Sequence, residues 1–186
     1  MASGGLKVCL IMSLLLFNIV TFAVLFLIFK PKDPNITVHP VGLQHFEFSL
    51  LPTLTMNMSI DTLITIENPN YGCFDYTKSI GYVNFHDIIV GEVPIRANLV
   101  PGRSHINVST YTNFMVRKLI NDSKFWSDVL VGTLNFTSKA SLPGKALMLK
   151  IFKLKATAYS LCDITFNISS KNVHTKCISK IKLLFF

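Results

Sequence analysis

The sequence contains no Cys-x-x-Cys, no His-Glu-x-x-His, no Asp-x-Asp, no Gly-x-Ser-x-Gly and no glycine-rich phosphate loop. Those absences remove the usual structural zinc sites, zinc-peptidase chemistry, metal-bound nucleotide-sugar transfer, the nucleophile elbow and P-loop phosphate binding. His39, His45, His86, His105 and His174 are scattered without ligand spacing, and Asp61 and Glu67 alternate onto a wet strand face rather than pairing for acid–base work. No catalytic, cofactor-binding or metal residue is therefore nominated. Four cysteines are too few for a disulfide-dense scaffold. Acid is scarce too: ten Asp and Glu stand against 18 Lys and Arg, a formal net charge of +8 over 186 residues.

What the chain has in excess is apolar surface, at 50% of residues. Much of it is one run. Val8 to Phe29 carries no charge and is closed by Lys7 on one side and by Lys30, Pro31 and Lys32 on the other. As a helix these 22 residues reach ~33 Å, enough for a ~30 Å hydrocarbon core. A cleaved signal peptide has a shorter apolar region ending in a small-x-small site, so the run reads as an uncleaved spanning helix. The expected organisation is a short cytosolic tail (1–7), the helix (8–29), a juxtamembrane linker (30–34) and one domain (35–186).

Flanking charge does not set the orientation, because it is nearly even on the two sides. The N-x-[ST] acceptor pattern does. It occurs at Asn35, Asn57, Asn107, Asn121, Asn135 and Asn167, where random order would give about two. Four of these have an apolar middle residue that a strand would turn inward, leaving Asn and Ser or Thr on the solvent face, where a glycan disturbs no core. The expectation is a luminal or extracellular domain.

From Asn35 onward the apolar period is close to two. Met56, Met58, Ile60, Ile64 and Ile66 form one face of a strand, and Asn57, Ser59, Asp61, Thr65 and Glu67 the other. Similar strands are expected over 36–50, 80–84, 88–99, 104–113, 130–140, 146–160, 161–169 and 173–184, punctuated at Asn68-Pro69-Asn70, Gly91, Pro101-Gly102 and Pro143-Gly144. Many short strands imply a mostly β sandwich. One or two short helical turns are expected between Asn113 and Leu130, begun by Thr112 or Asn113.

Residues 139–186 hold nine Lys and one Asp, so the net charge is concentrated in the last quarter of the chain. Such a surface suits anionic lipid or acidic wall polysaccharide, and equally a solvated strand face whose lysines guard an edge. Lys150, Lys153 and Lys155 do not share one alternation, which implies a bulge near Ile151-Phe152. If strands 161–168 and 171–184 form a hairpin looped at Ser169-Ser170, Cys162 falls directly opposite Cys177, close enough for a disulfide; a loop at Ser170-Lys171 would spoil that register. Cys73 has no evident partner.

The stretch Asn68-Pro69-Asn70-Tyr71-Gly72-Cys73-Phe74-Asp75-Tyr76, followed by Val83 to Val90 and Gly91-Glu92-Val93-Pro94, then by Pro101-Gly102, Asn107-Val108-Ser109 and Cys162-Asp163-Ile164-Thr165 with Cys177, resembles the group-2 late embryogenesis abundant superfamily of plants, in particular its membrane-anchored, hydroxyproline-rich or harpin-induced-like glycoproteins. The resemblance implies an immunoglobulin- or fibronectin-III-like sandwich with no cofactor and no catalytic centre. Asn68, Pro69, Asn70, Gly91, Glu92 and Pro94 then carry a structural motif. It also implies a single-pass plasma-membrane protein, domain outside, acting in water-deficit or defence responses through protein, lipid or wall contacts; nucleic acid, a third polyanion the basic region would suit, is argued against by the membrane anchor. The alternatives are a luminal Golgi or ER enzyme, whose chemistry is missing, and a lectin-like or receptor-accessory module using Tyr71, Phe74, Tyr76 and Trp126.

Overall fold

A computed structural model of the protein describes residues 3–49, 55–148, 152–170 and 172–184. The chain divides into two units, Met1–Lys32 and Asp33–Phe186. In the first, helix α1 spans Ser3–Phe29, and its stretch Val8–Ile28 is long and apolar enough to cross a membrane, with none of it buried against protein. Two of its polar side chains are bonded within the helix: Asn18 Nδ2 donates to the Leu14 carbonyl and Thr21 Oγ1 to the Phe17 carbonyl, each at 2.8 Å. That local bonding is what lets such residues sit in a run destined for hydrocarbon.

The second unit is mostly β. Its elements are β1 (Asn35–Ser49), β2 (Thr55–Asn68), β3 (Cys73–Tyr76), β4 (Ser79–Phe85), β5 (Ile88–Ile95), β6 (Asn98–Val100), β7 (Ser104–Met115), α2 (Val116–Ile120), α3 (Ser123–Val131), β8 (Thr133–Met148), β9 (Phe152–Asn167) and β10 (Asn172–Leu184). Every pairing is antiparallel, and neighbours run β1, β2, β7, β5, β4, β8, β9, β10, with β3 and then β6 continuing from the far half of β8. Twist over strands this long curls the sheet until its two end strands, β1 and β10, lie side by side. Their described residues share no ladder. Instead the Ile181 amide donates to Asp33 Oδ1 at 2.8 Å, one latch across the seam. The result is a nearly closed barrel, to which the expected two-sheet sandwich is a coarse approximation.

Four local expectations differ in the described structure. Pro143-Gly144 does not end a strand, for β8 runs through it in continuous register with β9. The ladder that pairs Thr133 with Asn167 also pairs Met148 with Phe152 without a shift, so the described residues contain no bulge there; Lys150 and Ile151 lie outside them. Likewise 161–169 is the end of β9, not a separate strand. The helical segment is α2 and α3, later than Thr112 or Asn113 would start it: α3 is capped by Asp122, whose side chain accepts from the Lys124 amide at 2.9 Å, and closed by Gly132 in the left-handed conformation.

Inward positions of one half of the barrel pack into a dry core of Ile36, Ile64, Ile66, Val93, Ile95 and Leu142, against Ala156 and Ala158. Phe74, Tyr76 and Val100 of the short strands fill the rest. The Asn68-Pro69-Asn70 corner locks this end. Asn68 is 5% exposed; its Nδ2 donates to the carbonyls of Gly72 (2.7 Å) and Pro101 (3.2 Å), while its Oδ1 accepts from the Asn70 amide (3.0 Å). Gly91 lies beside an extra residue, Val90, inserted in β5 where the β4–β5 register shifts, and a Cβ there would press on Val83 at 3.2 Å.

Candidate ligand cavity

The other half of the barrel is hollow. Period-two strands send Met58, Ile60 and Thr62 inward from β2, Thr112 and Phe114 from β7, Leu134, Phe136 and Ser138 from β8, and Ile164 and Phe166 from β9. Met58 and Ile60 are on the expected core face and Phe136 is at an expected inward position, whereas Phe114, expected in the helical segment, belongs to β7; here the walls stand apart. They enclose a cavity of about 640 Å³. Val116 and Leu119 of α2 and Phe125 of α3 close over it as a cap.

Ring contacts brace the wall. Phe114 meets Phe136 at 6.0 Å between centroids, Phe136 meets Phe85 at 5.5 Å, Phe85 meets Phe125 at 6.0 Å, and Phe125 meets Trp126 at 5.2 Å, mostly edge to face. The Trp126 Nε1 donates to the Ile120 carbonyl at 2.8 Å and ties α3 back to α2. His86 Nε2 lies 3.2 Å from Asp128 Oδ2, joining the β4–β5 turn to the outer side of α3. The cap is thus fastened to the barrel on two sides.

Polar groups are few and deep. Thr62 and Thr112 hold each other by their hydroxyls at 2.8 Å, and with Ser138 they are the polar side chains of an otherwise apolar lining. Buried water needs two to four polar partners apiece. Water filling this space would face mainly Ile, Leu, Met, Val and Phe. The volume falls within the ~300–1,000 Å³ of small-molecule sites, and the lining suits an apolar guest.

The mouth is at the seam. Pro40 and Val41 of β1 and Val173 of β10 line the cavity while remaining exposed, Val41 at 67%. Val41 is an unpaired residue in β1, since Pro40 pairs with Thr62 and Gly42 with Asp61. Among the described residues β1 and β10 share no ladder pairs at this point.

The residues singled out in the sequence lie elsewhere. Asn35, Asn107, Asn121, Asn135 and Asn167 are all exposed, and Asn57 occupies β2 opposite Met115. Asn107 and Asn135 accept at Oδ1 from Thr65 and Thr165 across the strand, each at 2.9 Å, and Asn167 Oδ1 accepts from the Ser170 amide and hydroxyl at 3.0 Å. Cys162 and Cys177 are joined by a disulfide with Cα atoms 4.0 Å apart; Cys9 and Cys73 are free thiols. Of the four aromatics considered as a binding platform, Phe74 and Tyr76 are buried in the core, Tyr71 lies under the Arg103 guanidinium at 4.2 Å and Trp126 is on α3, so no common surface unites them. Among the described residues no group of three or more His, Cys, Asp or Glu could hold a metal ion. Sequence reasoning missed the cavity, and the one signal for it was an excess of Phe at inward positions near the helical segment.

No family model and no curated protein matches the chain. A solved structure described as the crystal structure of a protein from Archaeoglobus fulgidus is similar over 83% of this chain and 99% of its own, at 6% identity and a TM-score of 0.38.

Proposed function

We propose that this chain is a non-catalytic, single-pass membrane-anchored β-domain glycoprotein that binds an apolar small molecule. The cavity of about 640 Å³, lined by apolar side chains apart from Thr62, Thr112 and Ser138, carries the reading. The Val8–Ile28 helix supports the anchor. The exposed sequons and the disulfide support a domain kept in the oxidising, glycosylating compartment, outside the plasma membrane. Its place in plant water-deficit or defence responses rests on the resemblance alone.

The test uses the full chain purified in detergent or nanodiscs. Native mass spectrometry and displacement of an environment-sensitive fatty-acid probe should reveal one apolar ligand per chain, and Ile164→Trp, which puts an indole into the cavity, should abolish displaceable binding while the protein stays folded. A wild-type chain that binds neither probe nor extracted lipid would end the proposal. Protease protection in microsomes, with and without N-glycosidase, tests the topology: a protected C-terminal domain that loses several glycans is the expected result.

A further inference from the structure

The outer face of β8, β9 and β10 gathers most of the charge of the chain. Outward residues pair across the three strands in rows: Thr137–Asp163–Lys176, Lys139–Leu161–Ile178, Ser141–Tyr159–Lys180 and Pro143–Thr157–Lys182. Lys145 and Lys153 extend the same face. Asp163 is its one acid in the described ladder. Within it Tyr159, Leu161 and Ile178 are exposed at 47%, 41% and 57%. We infer that this face docks on a bilayer with anionic phosphate headgroups, the lysines on the headgroups and Tyr159, Leu161 and Ile178 in the interfacial zone.

Edge protection does not account for the pattern. Lysines guard an end strand such as β10, but Lys139 and Lys145 sit on β8 where it is paired along both edges, Lys139 between Tyr82 and Leu161 and Lys145 between Asp75 and Lys155. The mixture of residue types favours lipid over a soluble polyanion. An acidic polysaccharide would engage the lysines and gain little from Leu161 and Ile178 between them, whereas an interface rewards an apolar patch ringed by amines.

Chain length supplies a further argument. Four residues lie between the end of the apolar stretch at Ile28 and Asp33, a reach of at most ~18 Å over the five steps. Asp33 is latched to the Ile181 amide, between Lys180 and Lys182. A linker this short keeps the domain at high effective concentration at the bilayer that holds the helix. Glycans are compatible with it: of the acceptor asparagines on β8 and β9, Asn135 and Asn167 lie at the end of the strands beyond the lysine rows. The inference stands independently of the cavity, though it would bring the β10 side of the seam toward a source of apolar molecules.

The experiment is residue-resolved amine acylation, read by mass spectrometry, of the full chain reconstituted with its domain outward. The vesicles are phosphatidylcholine alone or with about 30% phosphatidylserine. Labelling of Lys139, Lys176 and Lys180 should slow about fivefold in the anionic vesicles and recover at about 1 M salt, while Lys78, Lys118 and Lys124 stay unchanged. Ile178→Ser with Leu161→Ser should weaken the protection without altering any charge. Equal labelling in both vesicles would overturn the inference, as would protection of the same lysines by polygalacturonate and not by anionic vesicles, or indifference to the two serine substitutions. Probe binding measured on the same samples separates the readings: lost probe binding with retained protection would remove the cavity proposal and leave this one.

Discussion

Tyr76 is the side chain whose burial has the clearest pH signature. It is 1% exposed, packs on Phe74 at 6.0 Å between centroids, and its hydroxyl has no hydrogen-bond partner among the described residues. Burial raises its pKa above the ordinary phenol value of 10.0. In the unfolded chain the phenol ionises near 10 while the folded one keeps its proton, so its contribution to stability is complete below that pH and is lost as pH rises through the folded value. Urea midpoints should therefore fall for the wild type above about pH 10, and Tyr76→Phe should flatten that fall and gain up to ~1 kcal/mol at neutral pH by removing an unsatisfied hydroxyl. Asn68 is the opposite case, a buried amide with every bond made. Asn68→Ala should cost about 2–3 kcal/mol in the same assay, because the Gly72 and Pro101 carbonyls and the Asn70 amide all lose their partner. Pro69→Ala should cost under ~1 kcal/mol, since it changes chiefly the unfolded chain. A turn at Asn68-Pro69-Asn70 can be read from residue types. That the first asparagine points into the core and ties two loops together cannot, because besides the nearby Gly72 carbonyl it reaches the Val100 and Pro101 carbonyls, more than 30 positions away.

Elements were legible where one rule governed them and illegible where neighbours overruled it. Alternation finds β2, β7, β9 and β10 from their own residues. Pro143-Gly144 misleads because punctuation assumes that the proline amide is needed. The Pro143 carbonyl accepts from the Thr77 amide at 2.9 Å in the gap between the β4 and β3 ladders, and within a strand a residue's N and O point the same way, so the missing N–H falls where no strand asks for it. Gly144 serves a separate need, as a Cβ there would stand 2.2 Å from the Asp75 carbonyl oxygen. β3 is four residues long and carries no periodicity to read. The β9–β10 hairpin is set by arithmetic alone: Asn172 pairs with Asn167, and the same sum puts Cys177 opposite Cys162. β10 has a ladder on one edge only, so the disulfide and the Asp33 latch do the work of a second neighbour. Cys177→Ser should lower stability by about 3 kcal/mol, the loop-closure value for a loop of this length. Thermal melts of the variant and of the reduced wild type should agree, and a variant melting with the oxidised wild type would show that β10 is held by its other contacts.

At the scale of the molecule, alternation tells which face of a strand turns inward but not how far away the opposite wall stands. Met58, Ile60, Ile164 and Phe166 have the same pattern as the packed Ile64 and Ile66, and only the path of the closed sheet separates cavity wall from core. At the packed end, small residues such as Ala156 and Ala158 let the walls close, whereas at the open end the phenylalanines brace one another along the wall and leave the centre empty. An empty space of this size forfeits dispersion contacts all round its lining. A guest that fills it should therefore bind the folded state alone and stabilise it by mass action, about 2.7 kcal/mol at a hundred times its dissociation constant. For a domain of this size that corresponds to a melting temperature higher by roughly 5–10 °C. Scanning calorimetry with a graded series of fatty acids should show the shift growing with chain length until the cavity is full and then stopping. Ile164→Trp should melt at or above the unliganded wild type and show no such shift. Equal shifts in both proteins would mean that the acids act on the surface, and the cavity would then be a packing defect that the cap and the seam tolerate.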